Sequence, residues 1–292
     1  MAAQSSTWDE DPQGVSLLLA TGRVRHDLLV IAEPALLTEL DEAWGRPASR
    51  VRLSFLPGVR APGGVGQEDA LVTYEKDGLG VLIARGRTSL FEGRSAARTT
   101  AFARIAAGAR VRAALLATRA SSLGALVPGD VLAVRDHLSL TGAPLFPAVR
   151  TVEAAWDTAF AERLTTVDGV TGAGIAALIP GPVLPTPAEA LLLAELGADV
   201  VVTDSVAEAM AMAARGVRVA GLAVVDRVSA RAGSGRHSGR RAAEAPGHAA
   251  GHAAGPADPG APADPAGGSG RARRPQTHIV RAAVESLLEA LH

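Results

Sequence analysis

The stretch GPVLPTPAEALLLAELGADVVV, Gly181–Val202, decides the fold class. It packs three prolines into seven residues, then runs through an apolar segment to a glycine and a valine run. Proline fixes φ and has no N–H to donate, so GPVLPTP cannot lie inside a helix or a central strand. Thr186 offers a capping hydroxyl, and Pro187 stands at the first helical position, where its missing N–H costs nothing. Gly197 stops the helix, and the run after it has the continuous apolar character of a strand covered on both faces. A loop, a capped helix, a glycine stop and a buried strand make one unit of an α/β fold. The loop itself is open to two readings, a ligand-binding lip or a stiff connection.

The same alternation extends outward from about residue 15 to residue 230. Strands are expected at Asp27–Ala32, Ala70–Tyr74, Gly80–Ala84, Ala113–Thr118, Val131–Asp136, Gly174–Ile179, Val200–Thr203 and Val217–Val225. Helices are expected at Ala35–Ala43, Ser95–Gly108, Thr151–Arg163, Pro187–Leu196 and Val206–Ala214, with Ser205 capping the last and Gly216 ending it. From Ala230 to Pro275 the composition shifts to Ala, Gly, Pro, Arg and His, too poor in large apolar side chains to offset the entropy of ordering. This segment reads as a disordered insertion, and its irregularly spaced His237, His248 and His252 fit a linker better than a metal tract. Helical periodicity resumes over His278–Leu291, so one domain, 1–229 plus 276–292, is expected to close around the insertion.

Composition bounds the function. The 292 residues are 48% hydrophobic and only 3% aromatic, so Leu, Val and Ala must fill a large core. Twenty-nine Lys and Arg against 30 Asp and Glu leave a net charge of −1, which offers no field for nucleic acid or an anionic membrane. With no cysteine there is no disulfide, thiolate metal site or thiol nucleophile. Met1–Asp11 lacks the basic start and apolar core of a secretory signal, and no apolar run reaches membrane-spanning length, so a cytoplasmic protein is expected.

Candidate chemistry gathers at strand ends. Gly86-Arg87 follows the apolar run VLIA, and a guanidinium there can hold phosphate or carboxylate; the plainer reading pairs Arg87 with Glu92 on the surface. Thr118-Arg119-Ala120-Ser121-Ser122 follows AALLAT and reads as an anion cradle or a polar turn. Arg135-Asp136-His137 suits acid–base work or a structural hydrogen-bonded pair. Asp204 and Asp226 close apolar strands, where ligands of open α/β sheets collect. No Walker A loop, GxGxxG after a first strand, HExxH or GxSxG is present.

Taken in order, several segments resemble the trimeric purine nucleoside phosphorylases, which include the methylthioadenosine phosphorylases. VPGDVLAVRDHLSLTG, Val127–Gly142, resembles that family's GD-hydrophobic-DH-x-NLTG segment almost position by position. GPVLPTPAEALLLAELGADVVV is similar to GPxFETxAE followed by LGADxVGMS, ARGRTSLFEGRS to QGRxHxYEGY, ALLATRASSLG to the strand leading to TNAAGG, and QTHIVRAAVESLL to the His-led terminal helix. The resemblance spans Asp27–Val228 and the last helix. It implies a nucleoside phosphorylase-like fold, a mixed, mostly buried β-sheet flanked by helices, in a homotrimer. It further implies cleavage of purine nucleosides by phosphate to free base and ribose 1-phosphate, without a cofactor and with phosphate as co-substrate, through an oxocarbenium-like centre.

The resemblance maps phosphate binding onto Arg87 and the backbone of Ala120, and the ribose 5′ region onto His278, with Glu92 retained. Other positions differ from the family pattern. Pro34 stands in the phosphate loop, Val59 where a histidine belongs, Ser89 and Phe91 where histidine and tyrosine belong, and Pro185 at the acidic reader of the purine. Asp204 replaces a phosphate-binding serine, and Arg227 an asparagine that meets N7 of the base. Phe91, Asp204 and Arg227 are therefore the expected substrate contacts, with Asp226 as the leaving-group acid and Arg227 paired with Asp204 or Asp226. The neighbouring subunit's aromatic would be Phe146. An active enzyme with altered contacts and a catalytically impaired, ligand-binding homologue both fit these residues.

Overall fold

The computed structural model describes residues 14–140, 151–181, 184–229 and 274–292. The expected insertion at 230–275 lies almost wholly outside these, as does Phe146. In chain order the elements are α1 (Val15–Thr21), β1 (Leu28–Ile31), α2 (Thr38–Trp44), β2 (Ser49–Val51), β3 (Leu71–Lys76), β4 (Leu79–Ala84), α3 (Ala96–Thr99), α4 (Ala101–Gly108) and β5 (Ala113–Ser122). They continue through β6 (Val131–Ser139), α5 (Thr158–Thr165), β7 (Val170–Leu178), α6 (Pro187–Glu195), β8 (Val200–Val202), α7 (Val206–Ala213), β9 (Arg218–Val228) and α8 (Gln276–Glu289).

Among the described residues the strands form one sheet in the order β2-β3-β4-β1-β5-β8-β7-β6-β9. β5 pairs in parallel with both β1 and β9, and its last two residues pair with β8, so the second half of the sheet curls back onto β5. The three parallel strands β4, β1 and β5 therefore end side by side, with the end of β9 next to them. Every residue of β1 and β4 is buried, as their unbroken apolar runs require for strands covered on both faces. One core layer joins Phe102, Ile105, Trp156 and Met212 to one face of the sheet. The other face packs Phe160 of α5 and Ile279, Val280, Val284 and Leu287 of α8, the apolar stripe that the terminal periodicity predicts.

Local chemistry explains where elements differ from expectation. The helix expected at Thr151–Arg163 starts only at Thr158, because Asp157 caps it by accepting the Phe160 N–H at 2.9 Å while Trp156 turns into the core. The expected Ser95–Gly108 helix is broken into two at Thr100, and Ala35–Ala43 opens as a 3-10 turn at Pro34 before α2. Two elements escaped the pattern: α1, which lies in a short apolar run, and β2, which is only three residues long and pairs with β3 at the sheet edge. The expected turn after AALLAT is strand as far as Ser122, since β9 and β8 give those residues ladder partners. Thr186 caps α6 as its sequence demands, in a reciprocal box with Glu189. Ser205 does not cap α7 with its side chain.

Candidate active site

The site is built at the carboxyl ends of β4, β1, β5 and β9, where parallel strands leave a crevice. Gly86 lets the chain leave β4 closely past residue 68, since a Cβ there would stand 2.6 Å from the Glu68 carbonyl oxygen. That tight passage turns Arg87 inward, and its side chain is only 5% exposed. Nη2 donates to the Ile31 carbonyl at the end of β1 at 2.9 Å, and Nη1 donates to Asp204 Oδ1 at 2.7 Å. Nε stands 3.4 Å from Glu208 Oε2 in the first turn of α7.

Asp204 collects three donors. Arg87 Nη1 and the Thr118 hydroxyl reach Oδ1, and the Ser89 hydroxyl reaches Oδ2 at 3.2 Å. Its position is fixed by the next residue: Ser205 has φ 66° and ψ −41°, and the Val206 N–H donates to the Asp204 carbonyl at 2.8 Å. These values describe a γ-turn of the rare, strained type. One guanidinium thus faces two carboxylates. Burial works against the Arg87 charge, yet Glu208 and Asp204 hold its pKa above the ordinary value. Burial pushes the Glu208 carboxyl up to about 7, with Arg87 pulling the other way and Asp204 adding to the rise.

The pairing of Arg87 with Glu92 is therefore corrected. Glu92 instead accepts the Ser89 N–H at 3.0 Å and the Gly63 N–H at 3.1 Å, fastening the loop that carries Ser89 and Phe91. Arg227 pairs with Asp226, donating through Nε at 2.9 Å and Nη2 at 3.2 Å, and not with Asp204.

Beside this cluster lies a cavity of about 280 Å³, lined by Phe91, Arg119, Ala120, Ser121, Leu184, Val201, Thr203, Asp226 and Arg227. It brings together four of the predicted site residues, Phe91, Ala120, Asp226 and Arg227. Arg87 and Asp204 are outside its lining, Asp204 being the chain neighbour of Thr203, which lines it. Ala120 is buried at the point where the β5–β9 register slips, an irregularity that re-aims neighbouring side chains. Gly181 packs on Phe91 and Leu184 lines the cavity, so the described ends of the proline-rich loop border it. His278 lies outside the lining and meets Glu39 Oε2 through Nδ1 at 3.1 Å. Asp136 and His137 are also elsewhere: the His137 Nδ1 accepts the Trp156 indole N–H at 3.2 Å, and burial lowers its pKa.

Sequence reasoning missed Glu208, Thr118 as an Asp204 partner, and the ion pair between Arg119 and Glu33. The signal for Glu208 was present, as a carboxylate four residues beyond Asp204 and in the first turn of a helix. A larger cavity of about 700 Å³ between Ser54–Ala61 and the Arg98 and Arg104 side chains is lined by Val59, which stands where the family pattern has a histidine, but by none of the expected catalytic, phosphate or substrate contacts. The smaller cavity is the candidate site because the converging strand ends and polar groups lie there. Among the described residues no group of three or more His, Asp or Glu side chains is placed to hold a metal.

The curled mixed sheet with a pocket at its parallel strand ends is the fold of the nucleoside phosphorylase class of α/β proteins. Comparisons with solved structures agree on the fold. A purine nucleoside phosphorylase in complex with ribose 1-phosphate superposes with a TM-score of 0.69 at 18% identity, over 95% of this chain and 94% of that one. The purine nucleoside phosphorylase of Schistosoma mansoni in complex with acetate gives 0.66 at 20% identity, over 76% and 89%. Among curated proteins, the purine nucleoside phosphorylase of Mycobacterium tuberculosis is 30% identical over 72% of this chain and 79% of its own length. That of Mycobacterium leprae is 29% identical over the same shares. No family model matches the chain. The chain belongs to the purine nucleoside phosphorylase family.

Proposed function

We propose that this protein binds purine nucleosides in the cavity between Phe91 and the Asp226–Arg227 pair and cleaves the bond from C1′ to the purine, as a purine nucleoside phosphorylase-like enzyme of salvage. The observation that carries this reading is the pocket itself. It is lined by an aromatic ring and by a paired carboxylate and guanidinium, in a chain of this family. Phe91 supplies a face for sugar or base. Asp226 can donate a proton to the departing purine when protonated, which eases departure, and Arg227 orients it. His278, held by Glu39, and Ala120 complete the sugar and acceptor sides in this reading. Phosphate is the acceptor that the family implies, and no cofactor enters.

The same reading takes residues 1–229 and 276–292 as one domain, in a cytoplasmic homotrimer. Among the described residues no helix is long and apolar enough to cross a membrane. The exposed Leu191, Leu192 and Leu196 on and beside α6 support assembly, because such apolar groups favour a partner surface. Incubation with inosine, guanosine, adenosine and methylthioadenosine, followed by chromatography of the free base, tests the activity. Release that is lost in Phe91→Ala and Asp226→Asn is expected. No release and no thermal shift with any nucleoside or base would overturn it. The cluster around Arg87 favours a second reading, ligand binding without phosphorolysis, because an internal carboxylate occupies that arginine. Binding of a base without turnover is its signature.

A further inference from the structure

The donors around Asp204 are the set that an external oxyanion would need. They comprise a guanidinium enclosed at 5% exposure and two hydroxyls, all directed at one pair of oxygens at the foot of three parallel strands. A planar guanidinium and hydroxyl donors suit phosphate as well as carboxylate. Here the chain supplies the anion itself. The carboxylate is borne by the first residue of a strained γ-turn and is half-buried against buried donors, so it is present at the site at every moment without an entropy of association. A phosphate arriving at Arg87 would have to displace three hydrogen bonds and would also meet the negative charge of Asp204.

We propose that Asp204 selects the acceptor at this site: its carboxylate fills the oxyanion position on Arg87, Ser89 and Thr118, excludes inorganic phosphate, and leaves water as the acceptor. The inference rests on the nucleoside reading for its chemistry and on Asp204 alone for its exclusion. In the step, the water oxygen bonds to C1′ while the C1′–N9 bond breaks with its electron pair passing to the purine. One proton of the water ends on the base, by way of Asp226, so the products are free purine and ribose. With phosphate as acceptor the sugar product would be ribose 1-phosphate. Asp204 is here a positioning and specificity residue. It acts by holding Arg87.

Titration calorimetry with inorganic phosphate on wild type and on Asp204→Ser tests the exclusion directly. Serine removes the carboxylate and leaves a hydroxyl. The variant is expected to bind phosphate at least about tenfold more tightly than wild type, and Arg87→Met in the Asp204→Ser background is expected to abolish that binding. Asp204→Asn, which keeps size and an acceptor oxygen but not the charge, provides the same comparison if the serine variant does not fold. Product analysis from inosine reads the acceptor: ribose from wild type at a rate independent of phosphate, and ribose 1-phosphate from the variant in proportion to phosphate. Equal phosphate affinity in wild type and both variants, or ribose 1-phosphate from wild type, would overturn the proposal. If no protein releases base, the nucleoside reading fails, and the calorimetric comparison still decides whether Asp204 excludes phosphate.

Discussion

Two arginine–aspartate pairs, one lining the cavity and one just outside its lining, differ in almost every physical respect. Arg87 and Asp204 have side chains 5% and 16% exposed, with Glu208 at 7% beside them. Arg227 and Asp226 have side chains 54% and 27% exposed, and they are chain neighbours. The outer pair is wet and adjustable, so its Coulomb energy is screened and its groups can exchange partners for a ligand. In the inner pair Arg87 has surrendered almost all of its water and Asp204 most of it, and each group now depends on the other. The same two residue types thus make a recognition edge at the rim and a fixed internal anion at the foot.

Removing Arg87 breaks this contrast most directly. Arg87→Met should destabilise the protein by about 3 kcal/mol, because the half-buried Asp204 would lose its cation and the buried Glu208 would be left to take up a proton. Urea denaturation at neutral pH measures it, and a loss below about 1 kcal/mol would show that the inner pair behaves like a surface one.

Glu208 sharpens the contrast through pH. Its folded pKa of about 7 lies above the ordinary 4.5, so the native state binds the extra proton between those values. Its cost to stability is absent below about pH 4.5, grows as pH rises to about 7, and is constant beyond, on the order of 3 kcal/mol. Glu208→Gln should flatten this part of the stability profile and be the more stable protein at pH 8. An unchanged slope between pH 5 and pH 7 would count against it.

The smallest effect is expected at the rim. Arg227→Ala should change stability by less than about 1 kcal/mol, as exposed pairs do. The same change should weaken retention of a purine base in equilibrium dialysis. A large loss of stability would mean that the rim is structural and erase the distinction between the two pairs.

Much of the scaffold was legible because its causes are local. Thr186, Pro187 and Gly197 bound a helix in the sequence and bound it in the structure. The apolar runs of β1 and β4 announced strands buried on both faces. Where a helix was drawn too long, as at Thr151–Arg163, the decision belonged to Trp156 seeking the core and to Asp157 acting as cap, and helical periodicity does not encode either. The candidate site was legible by position and resemblance, so Arg87, Ala120, Phe91, Asp226 and Arg227 were named at the crevice. The partner of Arg87 was not legible. Glu92 is five residues away in the chain, whereas Asp204 is 117 residues away, and only the tertiary convergence of the segments that follow β4 and β8 brings it near.

What the sequence by itself determined is the alternation of helix and strand, the caps and stops between them, and the residue types delivered to the strand ends. Those follow from φ restrictions, side-chain periodicity and hydrogen-bonding capacity within a few residues of each position. Tertiary structure alone decided which charges meet and whether water reaches them. Burial turned an arginine suited to an external anion into one already holding Asp204, because a charge taken out of water must be paired with whatever the fold places beside it.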